Sequence, residues 1–311
     1  MTTALERLWI SWLNSDQWRA FAKEGAGAHL LRSPVYRKLD IARRYAATTY
    51  KNYRQPDLFA DVDTLCLFIG QVKSGGTLLG ALLDAHPHVV LADEIDVLYY
   101  VKAHFKREQI FHLLAKGAQR EAMRGRITAR RLTPYSLSVP GQWQGRSQKI
   151  KVIGDSKAGP TTRQLGKEPQ LLTQLQTVMG HVDLRLIQVI RNPFDPISAM
   201  IMRGGRSFEN AIEHYFDYCQ TLADLRGQLP AGSLLAVRYE DFVAQPRQKL
   251  AALCHFLGIE PEDAYLAACV GIVKRTPDQY RQMVAWTPHW IEVVCDRMNQ
   301  FEFLAGYPYG N

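Results

Sequence analysis

The spacing of apolar positions changes once along the chain. Up to about residue 60 they recur at helical intervals, as in LERLWISWL and VYRKLDIARRYAATTYKNY, and Gln55-Pro56-Asp57 punctuates the end of that stretch. Beyond it, short continuous apolar runs take over: TLCLFIG (64–70), HVVLA (88–92), IKVIGD (150–155), LRLIQVI (184–190) and SLLAVRY (233–239). Each is separated from the next by helical periodicity. Unbroken apolar runs alternating with helices predict a parallel sheet buried on both faces. The expected organisation is a helical N-terminal extension over 1–61 and an α/β domain over 62–311, its central parallel sheet flanked by helices. Residues 101–148 break the alternation and read as an inserted segment, helical at first and then a Pro/Gly/Gln loop.

Charge sharpens this division. The 311 residues carry a net +8, yet residues 101–150 alone hold eleven Lys and Arg against Glu108 and Glu121, a local +9. Such a segment attracts an anionic partner or forms a solvated helix face. It has few aromatics between its bases and matches no nucleic-acid module, so nucleic acid is not the expected partner. The five cysteines are scattered without a CxxC pair, which excludes a disulfide framework and argues against structural zinc. His86 and His88 form an H-x-H with no further ligands in register, so no metal is expected. No apolar run reaches the ~18 residues needed to span a bilayer, and the opening stretch lacks the layout of a secretory signal. The expectation is a cytoplasmic protein, with Trp9, Trp12 and Trp18 available for peripheral contact with a membrane. Oligomeric state is not legible.

The most informative loop follows the first apolar run. Gly70-Gln71-Val72-Lys73-Ser74-Gly75-Gly76-Thr77 leads into the helical LLGALLDAH. A strand, a glycine-rich turn and a helix N-terminus make a phosphate cradle, because backbone amides and the helix dipole converge on the anion. Against the kinase-type pattern G-x-x-x-x-G-K-[ST], Gly70, Gly75 and Thr77 fall in place, but Gly76 holds the lysine position and the lysine sits at Lys73. A P-loop-containing fold is expected, without the usual nucleoside-triphosphate lysine. A second element, LRLIQVIRNPFDPISAM, is a strand ending in Arg191-Asn192-Pro193 rather than in a magnesium-binding aspartate. A P-loop kinase and a non-catalytic nucleotide- or polyanion-binding protein are the alternative functions.

Lys73-Ser74-Gly75-Gly76-Thr77-Leu78 resembles the 5′-phosphosulfate loop of sulfotransferases, [RK]-S-G-[TG]-T, and Arg191-Asn192-Pro193 resembles their 3′-phosphate element. The stretch LLGALLDAHPHVVLADE is more similar to tyrosylprotein and carbohydrate sulfotransferases than to the cytosolic phenol type. VRYEDFVAQPRQKLAALCHFLGI (237–259) resembles the segment that closes the nucleotide site, with Tyr239 matching a nucleotide-contacting tyrosine. The resemblance covers about residues 64–260. It implies 3′-phosphoadenosine-5′-phosphosulfate (PAPS) as co-substrate, with no metal. The family's 3′-phosphate element carries a hydroxyl eight positions after its arginine; here that position is Ala199, and Ser198 is the substitute one residue earlier. Lys274 and Arg275 are tail bases that either form a solvated pair or meet the same phosphate, through Arg275.

Sulfuryl transfer to a hydroxyl or amine needs a base for the acceptor proton and cations for the charge on the moving group and leaving phosphate. Glu94 lies 21 residues after Lys73, the offset of the catalytic glutamate in the tyrosylprotein enzymes, and follows the run VVLA; Asp93 and Asp96 are the nearby alternatives. Lys157, after KVIGD, matches a lysine facing the sulfate. The resemblance implies PAPS-dependent sulfation of an acceptor, with Glu94 as base and Lys73 and Lys157 as its cations; charge suggests an anionic saccharide or a glycolipid, and small alcohols are the alternative. Ser74, Gly75, Gly76, Thr77 and Leu78 would hold the phosphosulfate.

Overall fold

The computed structural model describes residues 33–127, 135–274 and 279–310. The N-terminal 32 residues, Arg130, Arg131 and Arg275 fall outside them. The chain divides into two units at residue 54. In the first, helix α1 (Pro34–Arg54) has Asp40 accepting from Arg43 at 2.7 Å and from Arg44 at 2.6 Å, one turn apart on a helix rich in bases.

The second unit holds a five-stranded sheet: β1 (Thr64–Gly70), β2 (Val89–Ala92), β3 (Val152–Asp155), β4 (Asp183–Ile190) and β5 (Leu234–Arg238). Each strand lies within one residue, at each end it shares, of an apolar run or inside one, because a buried parallel strand needs side chains that tolerate burial on both faces. Every residue of β1 is buried. The order is β2-β3-β1-β4-β5, all parallel, with Thr64 paired to Val152 on one side and to Asp183 on the other. The α/β fold expected from the sequence is the fold observed.

The connecting helices are α2 (Gly76–Leu83), α3 (Val97–Lys102), α4 (Arg107–Met123), α5 (Ala158–Lys167), α6 (Gln170–Met179), α7 (Phe194–Gly204), α8 (Phe208–Arg226), α9 (Tyr239–Ala244), α10 (Pro246–Phe256), α11 (Asp263–Ile272) and α12 (Pro288–Met298). Alternate β1 residues serve opposite faces. Cys66 and Phe68 join Leu79, Leu82, Leu253 and Tyr265 of α2, α10 and α11 in one core. A second core gathers Phe194, Ile212, Phe216 and Phe301 from α7, α8 and the C-terminal segment.

Strand order singles out one place on the sheet. The chain leaves β1 toward β2 on one side and leaves β4 toward β5 on the other, so connections diverge between β1 and β4 at their C-terminal ends. Open parallel sheets bind ligands at such switch points.

The basic segment is helical over α4 and then irregular, and several of its bases are consumed internally. Arg126 is buried against Asp84, which also accepts the amides of Leu91 at 2.7 Å and Gly145 at 2.8 Å. Lys102 pairs with Glu168 at 2.6 Å and Lys149 with Asp61 at 2.8 Å. The local excess of charge is therefore smaller at the surface than along the sequence. His86 is structural: its Nδ1 accepts the His88 amide at 3.1 Å, which leaves Nε2 to donate to the Glu260 carbonyl at 2.9 Å.

Candidate active site

The loop after β1 is held from below. Gly70 N–H donates to the Thr162 hydroxyl at 2.8 Å, and the Gln71 amide donates to the Tyr215 carbonyl at 2.7 Å. Two residues then turn left-handed, Lys73 at φ 69° and Gly75 at φ 105°, and α2 begins at Gly76. Gly75 is required: a Cβ there would lie 2.3 Å from the Tyr239 ring, and its φ disfavours any side chain. The Leu78 amide donates to the Gly75 carbonyl at 3.0 Å and the Leu78 side chain is buried in the core, so Leu78 is part of the helix. Ser74 is 2% exposed and its Oγ has no hydrogen-bond partner within the protein. A buried hydroxyl without a partner costs about 1–3 kcal/mol. At the mouth of an amide-rich loop, that group fits an anionic oxygen.

The turn after β4 meets this loop directly. Arg191 is buried, its guanidinium lies 5.0 Å over the Tyr239 ring, and its Nη1 donates to the Lys73 carbonyl at 3.4 Å. Tyr239 thus has Gly75 against it and Arg191 over it. The Arg191-Asn192-Pro193 turn is fixed in its turn by Glu240, which accepts the Asn192 amide at 2.9 Å, while the Asn192 side chain donates to the Pro308 carbonyl at 2.8 Å. Ser198 sits one turn further along α7, fully buried, with its Oγ accepting the Trp286 indole N–H at 3.0 Å. Its contact is with the aromatic cluster of Phe194, Trp286 and Tyr309.

The acidic turn after β2 lies beside the end of β3, since Ala92 pairs with Asp155. Three of its four residues are tied. Asp93 accepts the Ser156 hydroxyl at 2.8 Å, Ile95 N–H donates to Asp155 Oδ1 at 3.1 Å, and Asp96 caps α3 and accepts the Gln164 amide at 2.9 Å. Glu94 stands between them at φ 68° with its side chain 59% exposed. Lys157 Nζ lies 3.9 Å from the Glu94 carboxylate and 3.8 Å from that of Asp96. Burial, with Asp93 and Glu94 close by, holds the Asp155 carboxyl well above the usual carboxylate range.

Only four non-glycine residues among those described have left-handed backbone, and Lys73 and Glu94 are two of them. Such conformations cost of order 1 kcal/mol and cluster at functional sites. The structure thus brings Lys73, Gly75, Tyr239 and Arg191 into one contact network, and Glu94 with Lys157 into another. Both lie at the C-terminal edge of the sheet.

Sequence spacing missed Asp195, Glu240 and Arg281. Asp195 is buried and accepts from Arg191 and from Arg281, which reaches it from the C-terminal segment. Glu240 follows Tyr239 in the sequence and was readable as part of that motif; Arg281 carried no signal, because its partner is 86 residues away.

The profile described as the sulfotransferase family matches residues 67–263. Among solved structures, the chain is similar to the sulfotransferase domain of the Synechococcus PCC 7002 olefin synthase at 20% identity, covering 75% of this chain and 83% of that one with a TM-score of 0.44. It is similar to sulfotransferase STF9 of Mycobacterium avium at 11% identity, covering 97% of each chain with a TM-score of 0.47. Mouse sulfotransferase SULT7A1 complexed with PAP matches at 13% identity, over 79% of this chain and 86% of that one, with a TM-score of 0.41. No curated protein matches the chain.

Proposed function

The chain belongs to the sulfotransferase family, whose enzymes take a sulfuryl group from PAPS, and on that premise we propose how its residues divide the work. The loop amides before Leu78, with Ser74 and Thr77, hold the 5′-phosphosulfate. Arg191 holds the 3′-phosphate, and Tyr239 sets the separation between the two. Ser198 is assigned to seating Trp286 rather than to the nucleotide. Glu94 takes the acceptor's proton as the acceptor oxygen forms its bond to sulfur. The bond from sulfur to the bridging phosphate oxygen breaks, and the electron pair leaves on the phosphate, where Lys73 neutralises it. Lys157, beside Glu94, stabilises the negative charge on the sulfuryl oxygens.

The observation that carries this reading is the contact of the two anion elements: Arg191 bonds the carbonyl of Lys73 and lies over the ring that lines Gly75. A site built so reads two anionic groups on one ligand. The finer proposal is a saccharide or glycolipid hydroxyl as acceptor and an affinity with the tyrosylprotein and carbohydrate subtypes. It rests on the net charge and on the 73–94 stretch.

The test is calorimetric titration with 3′-phosphoadenosine-5′-phosphate (PAP), ADP and ATP, each with and without Mg²⁺. Preference for PAP without metal is expected. Preference for ATP with Mg²⁺ would overturn the assignment. A panel of hydroxyl acceptors with labelled PAPS then tests the acceptor class.

A further inference from the structure

The first turn of α7 contains a carboxylate that the reaction as described does not use. Asp195 is buried, as are the two arginines around it. Its Oδ2 lies 3.4 Å from Arg191 Nε and accepts from Arg281 Nη1 at 3.0 Å; its Oδ1 accepts the Arg281 backbone amide at 3.0 Å. One side chain therefore aligns a guanidinium from the turn after β4 with a second from a short helical turn, Tyr280–Met283. The Tyr280 ring lies under both Arg191, at 5.4 Å, and Arg203, at 5.1 Å, and its hydroxyl accepts from Arg203 at 3.1 Å. The C-terminal segment is thus bound to α7 through arginine contacts.

We propose that Asp195 is the positioning residue for 3′-phosphate selectivity, holding Arg191 and Arg281 side by side so that both guanidinium groups serve the nucleotide's 3′-phosphate. This rests on the assignment of Arg191 to that phosphate. The chemistry fits: a phosphate dianion offers several acceptor oxygens, and guanidinium groups meet them best as rigid forks whose direction is already set. A carboxylate shared between two guanidiniums sets that direction before the ligand arrives. A bond to the backbone amide as well as the side chain of Arg281 fixes where that residue's chain passes. Asp195 itself does not touch the nucleotide.

The experiment compares PAP with AMP, which differ only in the 3′-phosphate, by calorimetry on the full chain and on Asp195→Asn, Arg281→Met and Arg281→Lys. Wild type is expected to prefer PAP strongly. In Asp195→Asn and Arg281→Met that preference should shrink by about tenfold or more, the worth of a charge-assisted hydrogen bond, while AMP affinity stays within about twofold. Arg281→Lys should keep part of it. An unchanged PAP-to-AMP ratio in Asp195→Asn overturns the proposal, and so does an equal loss for both nucleotides, the signature of a merely structural role. Should Asp195→Asn not fold, Arg281→Met decides alone: an intact ratio overturns the proposal. Wild type without preference for PAP would bring down the functional assignment itself, an outcome distinct from the others.

Discussion

Asp155 Oδ1 accepts the backbone N–H of Ile95 at 3.1 Å, and this bond anchors the turn from which Glu94 projects. The Ile95 side chain is held on its other side by α4, where a Cβ added to Gly117 would come within 2.7 Å of it. With Asp93 and Asp96 also tied, the left-handed backbone of Glu94 is imposed by its neighbours rather than chosen by the residue itself.

Glu94→Gln keeps the shape of the side chain and removes its basicity. Turnover of PAPS with an acceptor should fall by about 10²–10⁴, the usual contribution of a general base. PAP affinity, measured by calorimetry, should be unchanged. A variant that lost PAP binding in parallel would assign Glu94 to the nucleotide instead.

Gly75→Ala forces a methyl group into the Tyr239 ring and onto a φ of 105°. The loop must move or the ring must leave its place between Gly75 and Arg191. The expected result is a loss of PAP affinity of at least about tenfold, with a stability cost of roughly 1–3 kcal/mol in denaturant titrations. The neighbouring position behaves differently: at Gly76 the nearest atom to an added Cβ is 3.5 Å away, so Gly76→Ala should bind PAP nearly as wild type does.

Asp155 makes stability depend on pH in a direction its environment fixes. Its folded pKa is raised by burial first, with Asp93 and Glu94 adding to the rise and the Ile95 amide and Lys157 opposing it. A carboxyl raised in the folded state favours folding fully below its unfolded value of about 3.9, and that contribution is lost as pH rises through the folded pKa. Asp155→Asn preserves an acceptor for Ile95 and cannot ionise. Thermal melts of the variant should decline less than wild type toward alkaline pH. Identical slopes would mean that the carboxyl is ionised throughout.

Arg126 gives a test of where the basic segment spends its charge. It is buried against Asp84, whose carboxyl burial pushes up to about 6 even with the guanidinium beside it. Arg126→Met leaves that carboxylate without its cation and should destabilise the fold by about 3–5 kcal/mol at neutral pH. Arg126→Met with Asp84→Asn should recover much of the loss. A stable Arg126→Met protein with weakened binding to a sulfated polysaccharide would reassign Arg126 to the surface.

The sheet was legible because burial on both faces leaves a plain record, an unbroken apolar run, and TLCLFIG appears in the fold residue for residue as β1. The turn after β1 was legible because glycines ahead of a helix start favour such a backbone, and the place of Arg191 because it follows a strand. Position along a helix puts the Ser198 hydroxyl near the turn, but its bond from the indole of Trp286, 88 residues on, has no trace in the sequence. The charge of the 101–150 segment likewise shows less than the contacts do. Counting residues registers Arg126 as surface charge, whereas its partner Asp84 lies 42 positions earlier and inside the fold. Contacts made by polar side chains over long sequence distances leave no periodic trace.

The clasp on the Arg191-Asn192-Pro193 turn has a consequence for biosynthesis. Asn192 is held by the carbonyl of Pro308, and Tyr307 donates to Glu240 at 2.9 Å, so residues from the last part of the sequence complete a turn made much earlier. The sheet strands all precede residue 240 and can assemble as they emerge from the ribosome. The turn that carries Arg191 is clasped only when residues 307 and 308 have folded back. In a nascent chain the sheet can therefore form before that turn is clasped.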